Sequence, residues 1–328
     1  MVGVLLYKKD YKNYQELNQL INKLRALGRQ NKIPLFIAID QEGGRVNRMP
    51  DEFQNLPSAS ELARENLVEE ASKVTAKMLK ETGFNFNLAP VLDIKRFKNN
   101  QAIGDRAFSS SVEVVSKCGI TYINKMKEYN IVPVIKHYPG HGATKKDSHL
   151  TLPKIEETNK NLEKEDLVPF KKAMENGADA LLVGHLRIKN ITHGYPASMS
   201  KSFVRKYIRK KHRFNGIVIT DDIRMKAVRL IYGTKRALIK AFEAGNDIVL
   251  FKYNLGDEIL IDKIIKEVKT GKINISKINR SVRRILNVKE KYGIENEEIP
   301  YLENLPEDIN MEINNIKNKI KGNLNGKD

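Results

Sequence analysis

Gly216-Ile217-Val218-Ile219-Thr220-Asp221 (GIVITD, 216–221) is a short apolar run that closes on an ionisable residue. It shows no alternation of apolar and polar positions, which suits a strand buried on both faces, as in a parallel sheet. Six further runs share the character: Val2–Tyr7, Pro34–Asp40, Phe86–Asp93, Val132–His137, Ala178–His185 and Asp247–Phe251. Longer stretches with helical spacing separate them. Ala71, Val74, Met78 and Leu79 lie in one, and Leu238, Ala241 and Phe242 in another. Strands alternating with helices imply parallel βαβ units. Seven such units within about 250 residues fit an α/β fold of the (β/α)8-type TIM barrel better than an open doubly wound sheet. Such a barrel has eight strands, yet this chain opens directly in an apolar run. The first strand and helix are therefore expected to be missing. A seven-stranded variant and an unrecognised strand are the alternatives.

Residues 1–293 are read as the barrel domain. Ile275–Tyr292 has the pattern of a closing helix, with Ile278, Val282, Ile285 and Leu286 on one side and Ser276 as its cap. The character changes after Gly293. Residues 294–308 are acidic and carry Pro300 and Pro306, and Ile309, Ile313, Ile316 and Ile320 then fall at helical spacing. This tail, 294–328, is expected to be an amphipathic helix docked on the barrel, a partner-binding helix being the alternative.

The 328 residues are 41% hydrophobic, enough for a substantial core. The lone cysteine, Cys118, excludes an intramolecular disulfide and an all-cysteine zinc site. No run of 18 apolar residues exists, so no membrane-spanning helix is expected. The opening MVGVLLYKKDYKNY has too short an apolar stretch for a secretory signal. A cytoplasmic location is expected for the chain as given, with secretion or wall association if a leader lies upstream. The net charge of +18 invites a nucleic-acid reading, but many lysines sit among Glu and Asn on helix-like stretches such as 259–291. A solvated basic surface is the preferred reading and an anionic polymer substrate the sharper alternative.

Polar residues gather where the apolar runs end. Asp40, before Gln41-Glu42-Gly43-Gly44-Arg45, ends the second run and Asp93 the third. Lys136 and His137 end the fourth, before Tyr138-Pro139-Gly140-His141-Gly142; His185 ends the fifth, and Asp221 and Asp222 close the sixth. In a parallel barrel these ends share the face that carries the active site. The glycines 43, 44, 140 and 142 permit close backbone approach there. Taken singly, Asp93 could be a helix N-cap and His185 a hydrogen-bonded core histidine. Together they argue for a polar pocket that binds a polyhydroxylated or charged ligand.

Hydrolysis of a glycosidic bond with retention needs a nucleophilic carboxylate and a proton donor that later acts as base. Asp221 leaves a rigid strand and suits the first role. Asp147-Ser148-His149 offers the second: if extended, both side chains point one way, and the carboxylate fixes the tautomer of an imidazole that titrates near neutrality. An Asx-type turn with a surface histidine is the competing reading. Glu42 and Asp222 are the next candidates for the acid. His137, His141 and His149 do not match a common zinc spacing, and no phosphate-binding glycine fingerprint is present, so no metal and no nucleotide are expected.

Lys136-His137-Tyr138-Pro139-Gly140-His141-Gly142, followed after four residues by Asp147-Ser148-His149, resembles the signature of glycoside hydrolase family 3, β-N-acetylglucosaminidase branch. Tyr138 stands where the usual signature has Phe. Ile39-Asp40-Gln41-Glu42-Gly43-Gly44-Arg45-Val46, Phe86–Asp93, Gly104-Asp105-Arg106-Ala107-Phe108, Pro196-Ala197-Ser198, Thr220-Asp221-Asp222 with Met225, and Ala244-Gly245-Asn246-Asp247 extend the likeness in order over residues 1–293. The resemblance implies Asp221 as nucleophile and His149 with Asp147 as acid/base dyad. It implies Asp40, Arg48, Arg106, Lys136, His137 and His185 as residues that hold sugar hydroxyls. β-Glucosidases of the family generally take their acid from another region, absent here. The implied substrates are N-acetylglucosamine glycosides, peptidoglycan fragments among them, with no cofactor. A monomer that binds no nucleic acid is expected. A carbohydrate-binding or wall-associated protein without activity, another β-glycosidase of the family, and a nucleic-acid binder resting on charge alone are the competing readings.

Overall fold

The computed structural model describes residues 2–97, 100–143, 152–155 and 159–325. In chain order the elements are β1 (Gly3–Leu6), α1 (Tyr14–Gln30), β2 (Phe36–Ile39), α2 (Ala59–Arg64), α3 (Val68–Thr82), β3 (Phe86–Asn87), α4 (Val112–Glu128) and β4 (Val132–Tyr138). Then come β5 (Lys154–Ile155), α5 (Asn159–Lys164), α6 (Val168–Glu175), β6 (Ala180–Val183), β7 (Arg187–Ile188) and a π-helix, Phe203–Lys211. β8 (Ile217–Thr220), α7 (Lys226–Tyr232), α8 (Thr234–Ala244), α9 (Glu258–Lys269), α10 (Ile275–Lys291) and α11 (Leu305–Asn325) follow. The main sheet has the order β1-β2-β3-β4-β6-β8, and the pairs β1–β2, β2–β3, β3–β4 and β6–β8 are parallel. This is the βα repeat of the (β/α)8 barrel class. Among the described residues no helix is long and apolar enough to cross a membrane.

The chain divides into two compact units, with β4 contributing to both. The first comprises residues 1–92, 105–135 and 289–328. Here β1 pairs with β2 from Gly3 opposite Phe36 to Leu6 opposite Ile39, and Asn87 of β3 lies opposite Ile39. All four residues of β2 are buried, as an apolar run without alternation requires. Asn13 caps α1, its side chain accepting from the Glu16 N–H at 2.8 Å, and Leu17, Ile21 and Leu24 form the buried stripe of that helix. Cys118 is buried on α4, where the neighbouring Gly119 lies close to Leu92. On α11 Ile309, Ile313, Ile316 and Ile320 are all buried, and the helix packs on α3. Each such side chain contributes about 1.5–3 kcal/mol of burial energy. Lys77 pairs with Glu312 at 2.7 Å and Lys319 with Glu70 at 2.6 Å.

Between α10 and α11 an extended segment is held by side chains of α1. Asn18 and Asn22 donate to the Ile299 carbonyl, Arg25 to that of Glu297 and Arg29 to that of Asn296. Lys289 is buried and donates to the carbonyls of Val2 and Pro34.

The second unit comprises residues 93–104 and 136–288. β6 and β8 are buried throughout and pair from Ala180 opposite Ile217 to Val183 opposite Thr220. Tyr138 packs edge-on against Phe170, ring centres 5.3 Å apart, and lies 5.5 Å from Phe203 of the π-helix. Met199, Ile223, Val228, Leu238 and Leu260 form a further apolar cluster.

Three expectations need correction. The seventh apolar run, Asp247–Phe251, is not a strand; it pairs with β8 through an isolated bridge between Ile248 and Ile219. Side chains take the places of ladder partners there: the Asp247 carboxylate accepts from the Val218 N–H at 2.8 Å, and Thr220 Oγ1 from the Leu250 N–H at 3.1 Å. Ser276 does not cap α10; Asn274 does, its side chain accepting from the Ser276 N–H at 2.8 Å. A capping oxygen must precede the first helical residue, and Ser276 lies inside it. On α10 Ile285 and Val288 are buried while Val282 and Leu286 are exposed. The buried stripe therefore keeps Ile285 as expected and continues to Val288, leaving out Val282 and Leu286.

Candidate active site

In the second unit the ends of β4, β6 and β8 bring together Lys136, His137, His185 and Asp221. Asp93, the end of the third apolar run, is fully buried beneath them. One carboxylate oxygen lies 2.7 Å from His137 Nδ1 and also accepts from the His137 N–H at 3.3 Å; the other accepts from the His141 N–H at 2.5 Å. Burial alone would push this carboxyl up, but His137 and His141 outweigh it and hold Asp93 below the usual carboxylate range. Asp93 thus fixes the His137 imidazole and the backbone of His141 within the Lys136–Gly142 segment. Gly142 is needed there, since a Cβ at that position would meet the Ile94 carbonyl oxygen. Burial, with His137 nearby, pushes the His141 imidazole down.

Asp221 follows β8 directly, its N–H bonded to the Val183 carbonyl at 3.0 Å. One carboxylate oxygen accepts from the Asp222 N–H at 2.8 Å. Partial burial would raise its pKa, yet His185, His137, the Asp222 N–H and Lys136 together keep it below the usual range. A carboxylate held ionised beside imidazoles and a buried lysine can attack an electron-poor carbon or stabilise a developing cation. Asp222 moves the other way: burial and the neighbouring Asp221 charge raise it, against the Arg224 N–H that its carboxylate accepts. Of these two adjacent carboxyls, Asp222 is the better proton carrier.

His185 is buried, and both ring nitrogens are engaged: Nδ1 lies 2.7 Å from Ser198 Oγ and Nε2 3.0 Å from the Asp222 carbonyl oxygen. Burial pushes this imidazole down, although Asp221 and Asp222 oppose the shift.

In the first unit, Asp40, Glu42 and Arg48 follow β2, and Arg106 lies on a short turn of 3-10 helix, Gly104–Arg106. Arg106 grips Glu42 with two bonds, Nε to Oε2 at 2.8 Å and Nη2 to Oε1 at 2.7 Å. Such a two-pronged pair fixes the plane of the guanidinium. Gly43, at φ +87°, makes the turn behind Glu42 in a conformation that favours glycine. Arg48 is half-buried; its N–H donates to Gln41 Oε1 at 2.8 Å, and its carbonyl accepts from Tyr11 OH at 2.7 Å. Buried Asn87 ties this loop to α4, donating to the Gln41 carbonyl at 2.9 Å and to Tyr122 OH at 2.8 Å. A cavity of about 30 Å³ lies in this unit, with Glu42, Arg106, Tyr122, Ala89 and Phe108 in its wall.

The expected site residues therefore fall into two sets, Lys136, His137, His185 and Asp221 in one unit and Asp40, Arg48 and Arg106 in the other. Asp147 and His149 lie outside the described residues. Sequence reasoning placed Asp93 among the strand-end residues and Glu42 only as a fallback acid, and it left out His141, Ser198 and Asn246 as site residues. Each sits in a quoted motif, but only contact geometry separates a residue that orients another from one that faces a ligand. Among the described residues no group of three or more His, Cys, Asp or Glu could hold a metal ion.

The model of the glycosyl hydrolase family 3 N-terminal domain matches residues 1–288. A β-hexosaminidase of Hydrogenovibrio crunogenus is 31% identical over 291 residues, covering 85% of this chain and 79% of that protein. A β-hexosaminidase of Xylella fastidiosa is 34% identical over 264 residues, covering 76% of each. The solved structure of a family 3 β-N-acetylglucosaminidase from a Paenibacillus species superposes with a TM-score of 0.89 at 26% identity. It covers 97% of this chain, which spans 62% of that longer one.

Proposed function

Because the chain belongs to glycosyl hydrolase family 3, we propose that it is a retaining exo-β-N-acetylhexosaminidase acting on terminal N-acetylglucosamine of peptidoglycan fragments or related glycosides. The observation that carries the mechanism is Asp221, a carboxylate kept ionised at the end of β8 by His185, His137 and Lys136. It attacks the anomeric carbon as the bond to the leaving oxygen breaks, forming a covalent glycosyl-enzyme. His149, oriented by Asp147, gives its proton to the leaving oxygen and then takes one from the water that releases the sugar. Lys136 and His137 hold sugar hydroxyls, with Asp93 fixing the His137 ring. Asp40, Arg48 and Arg106 are further hydroxyl-holding residues, with Glu42 fixing the Arg106 plane. Residues 1–293 form the catalytic domain with 294–328 as a docked tail, and the protein works as a monomer without a cofactor.

The test compares a chromogenic N-acetylglucosaminide with the matching glucoside. Turnover of the first well above the second is expected. Equal rates would reassign the substrate, and no turnover of either would favour a carbohydrate-binding role.

A further inference from the structure

Pro196-Ala197-Ser198 and Ala244-Gly245-Asn246-Asp247 carry no role in the reaction above, yet both converge on His185. Ser198, His185 and Asn246 are all buried. Asn246 Nδ2 donates to the Ser198 carbonyl at 2.7 Å and to the Ala241 carbonyl at 2.7 Å. Ser198 Oγ meets His185 Nδ1 at 2.7 Å, and His185 Nε2 meets the Asp222 carbonyl at 3.0 Å. A carbonyl oxygen only accepts, so Nε2 carries the hydrogen. In a neutral ring Nδ1 must then accept, and the Ser198 hydroxyl donates to it.

The chain of bonds ends beside the reacting carboxylate. The Asp222 carbonyl takes His185 and also the Met225 N–H at 3.0 Å, while the Asp222 N–H holds Asp221 Oδ1 at 2.8 Å. We infer that His185, locked by Ser198 as a neutral Nε2–H imidazole, clamps the backbone of Asp222 and so positions the Asp221 carboxylate. His185 is thus a positioning residue, and Ser198, seated by Asn246, is its tautomer lock. The inference rests on Asp221 as nucleophile. Loss of the Ser198 hydroxyl frees the ring to adopt the Nδ1–H form, which offers the Asp222 carbonyl no donor. Asp221 and Asp222 are the charged groups that would draw a proton onto the ring, and burial opposes them.

The experiment labels the histidine nitrogens of the whole protein and records long-range proton–nitrogen spectra from about pH 5 to 8. Comparison with His185→Gln identifies the resonances of His185. A single Nε2–H tautomer that does not titrate is expected in the wild type, and a tautomer mixture in Ser198→Ala. On the chromogenic N-acetylglucosaminide, Ser198→Ala should lower kcat about tenfold, the worth of one hydrogen bond, with KM nearly unchanged. Ser198→Thr, which keeps the hydroxyl, should recover most of it. An Nδ1–H or titrating ring in the wild type would overturn the lock, and that spectrum decides even where a variant does not fold. Full kcat in Ser198→Ala despite a shifted spectrum would overturn the positioning role. Wild-type protein inactive on both glycosides but showing the locked ring would count against the hydrolase assignment and for the lock.

Discussion

Replacing Asp93 with Ala removes one buried carboxylate and leaves its three partners, the His137 N–H, the His137 ring and the His141 N–H, without it. Hydrogen bonds to a charged group contribute about 1.5–3 kcal/mol each. The 3.3 Å contact is weak and water can enter the space left, so a loss of about 3–5 kcal/mol is expected. Urea unfolding followed by far-ultraviolet circular dichroism suits a chain that has no tryptophan. With a slope of about 3 kcal/mol per molar, the midpoint should fall by about 1 M or more. The pH dependence sharpens the test. Asp93 is held below its ordinary value in the fold, so its contribution is complete above the ordinary carboxylate pKa of about 3.9. It is lost only as pH falls through the lower folded value. The gap between wild type and Asp93→Ala should therefore stay constant from about pH 7 to 5. A loss under about 1 kcal/mol, or a gap that closes near pH 6, would refute the clamp.

Asp221→Ala should lower turnover of the chromogenic glycoside by more than about a hundredfold while leaving circular dichroism unchanged, because the covalent step is lost. His149→Ala should slow an unactivated disaccharide far more than a nitrophenyl glycoside in single-turnover glycosylation, and Asp147→Asn should resemble a weaker form of it. Equal losses on both substrates would move the acid to Asp222 or Glu42. Burial lowers the Lys289 ammonium to about 8. The unfolded chain then binds more protons between that value and about 10.4, so stability should rise with pH across the window. Melting temperatures at about pH 7 and pH 9.5 should show the rise in wild type and its loss in Lys289→Met.

How much of this was legible depends on the interaction concerned. β6 and β8 announce themselves because a strand buried on both faces is apolar throughout, and Asp221 because it interrupts such a run. The same rule misread Asp247–Phe251, where composition gives no sign that Asp247 and Thr220 side chains replace ladder partners. The α10 stripe was legible at Ile285 but not at its edges, since Val282 and Leu286 are as apolar as Val288. Asp93 was ambiguous in principle, because an aspartate at a strand end reads alike as cap, ligand or clamp. Its partners His137 and His141 lie more than forty residues away. His185 with Ser198 is similar: thirteen residues separate them, and the tautomer they impose on each other exists only once Asp222 supplies an acceptor.

The seam between α1 and residues 296–300 bears on the order in which the molecule can be made. Its bonds join positions 267 to 282 residues apart in the chain. Closing a loop of that size costs conformational entropy before any contact repays it. During synthesis α1 leaves the ribosome before these partners and its Asn18, Asn22, Arg25 and Arg29 have no such bonds until residues 296–300 have emerged. The unit that holds Asp40 and Arg106 must therefore finish folding late, whereas the stretch from Lys136 to Val288 can begin to consolidate while translation continues. A polypeptide cut after residue 288 would leave the stripe of α3 that α11 covers open to water, and such surface is a route to aggregation.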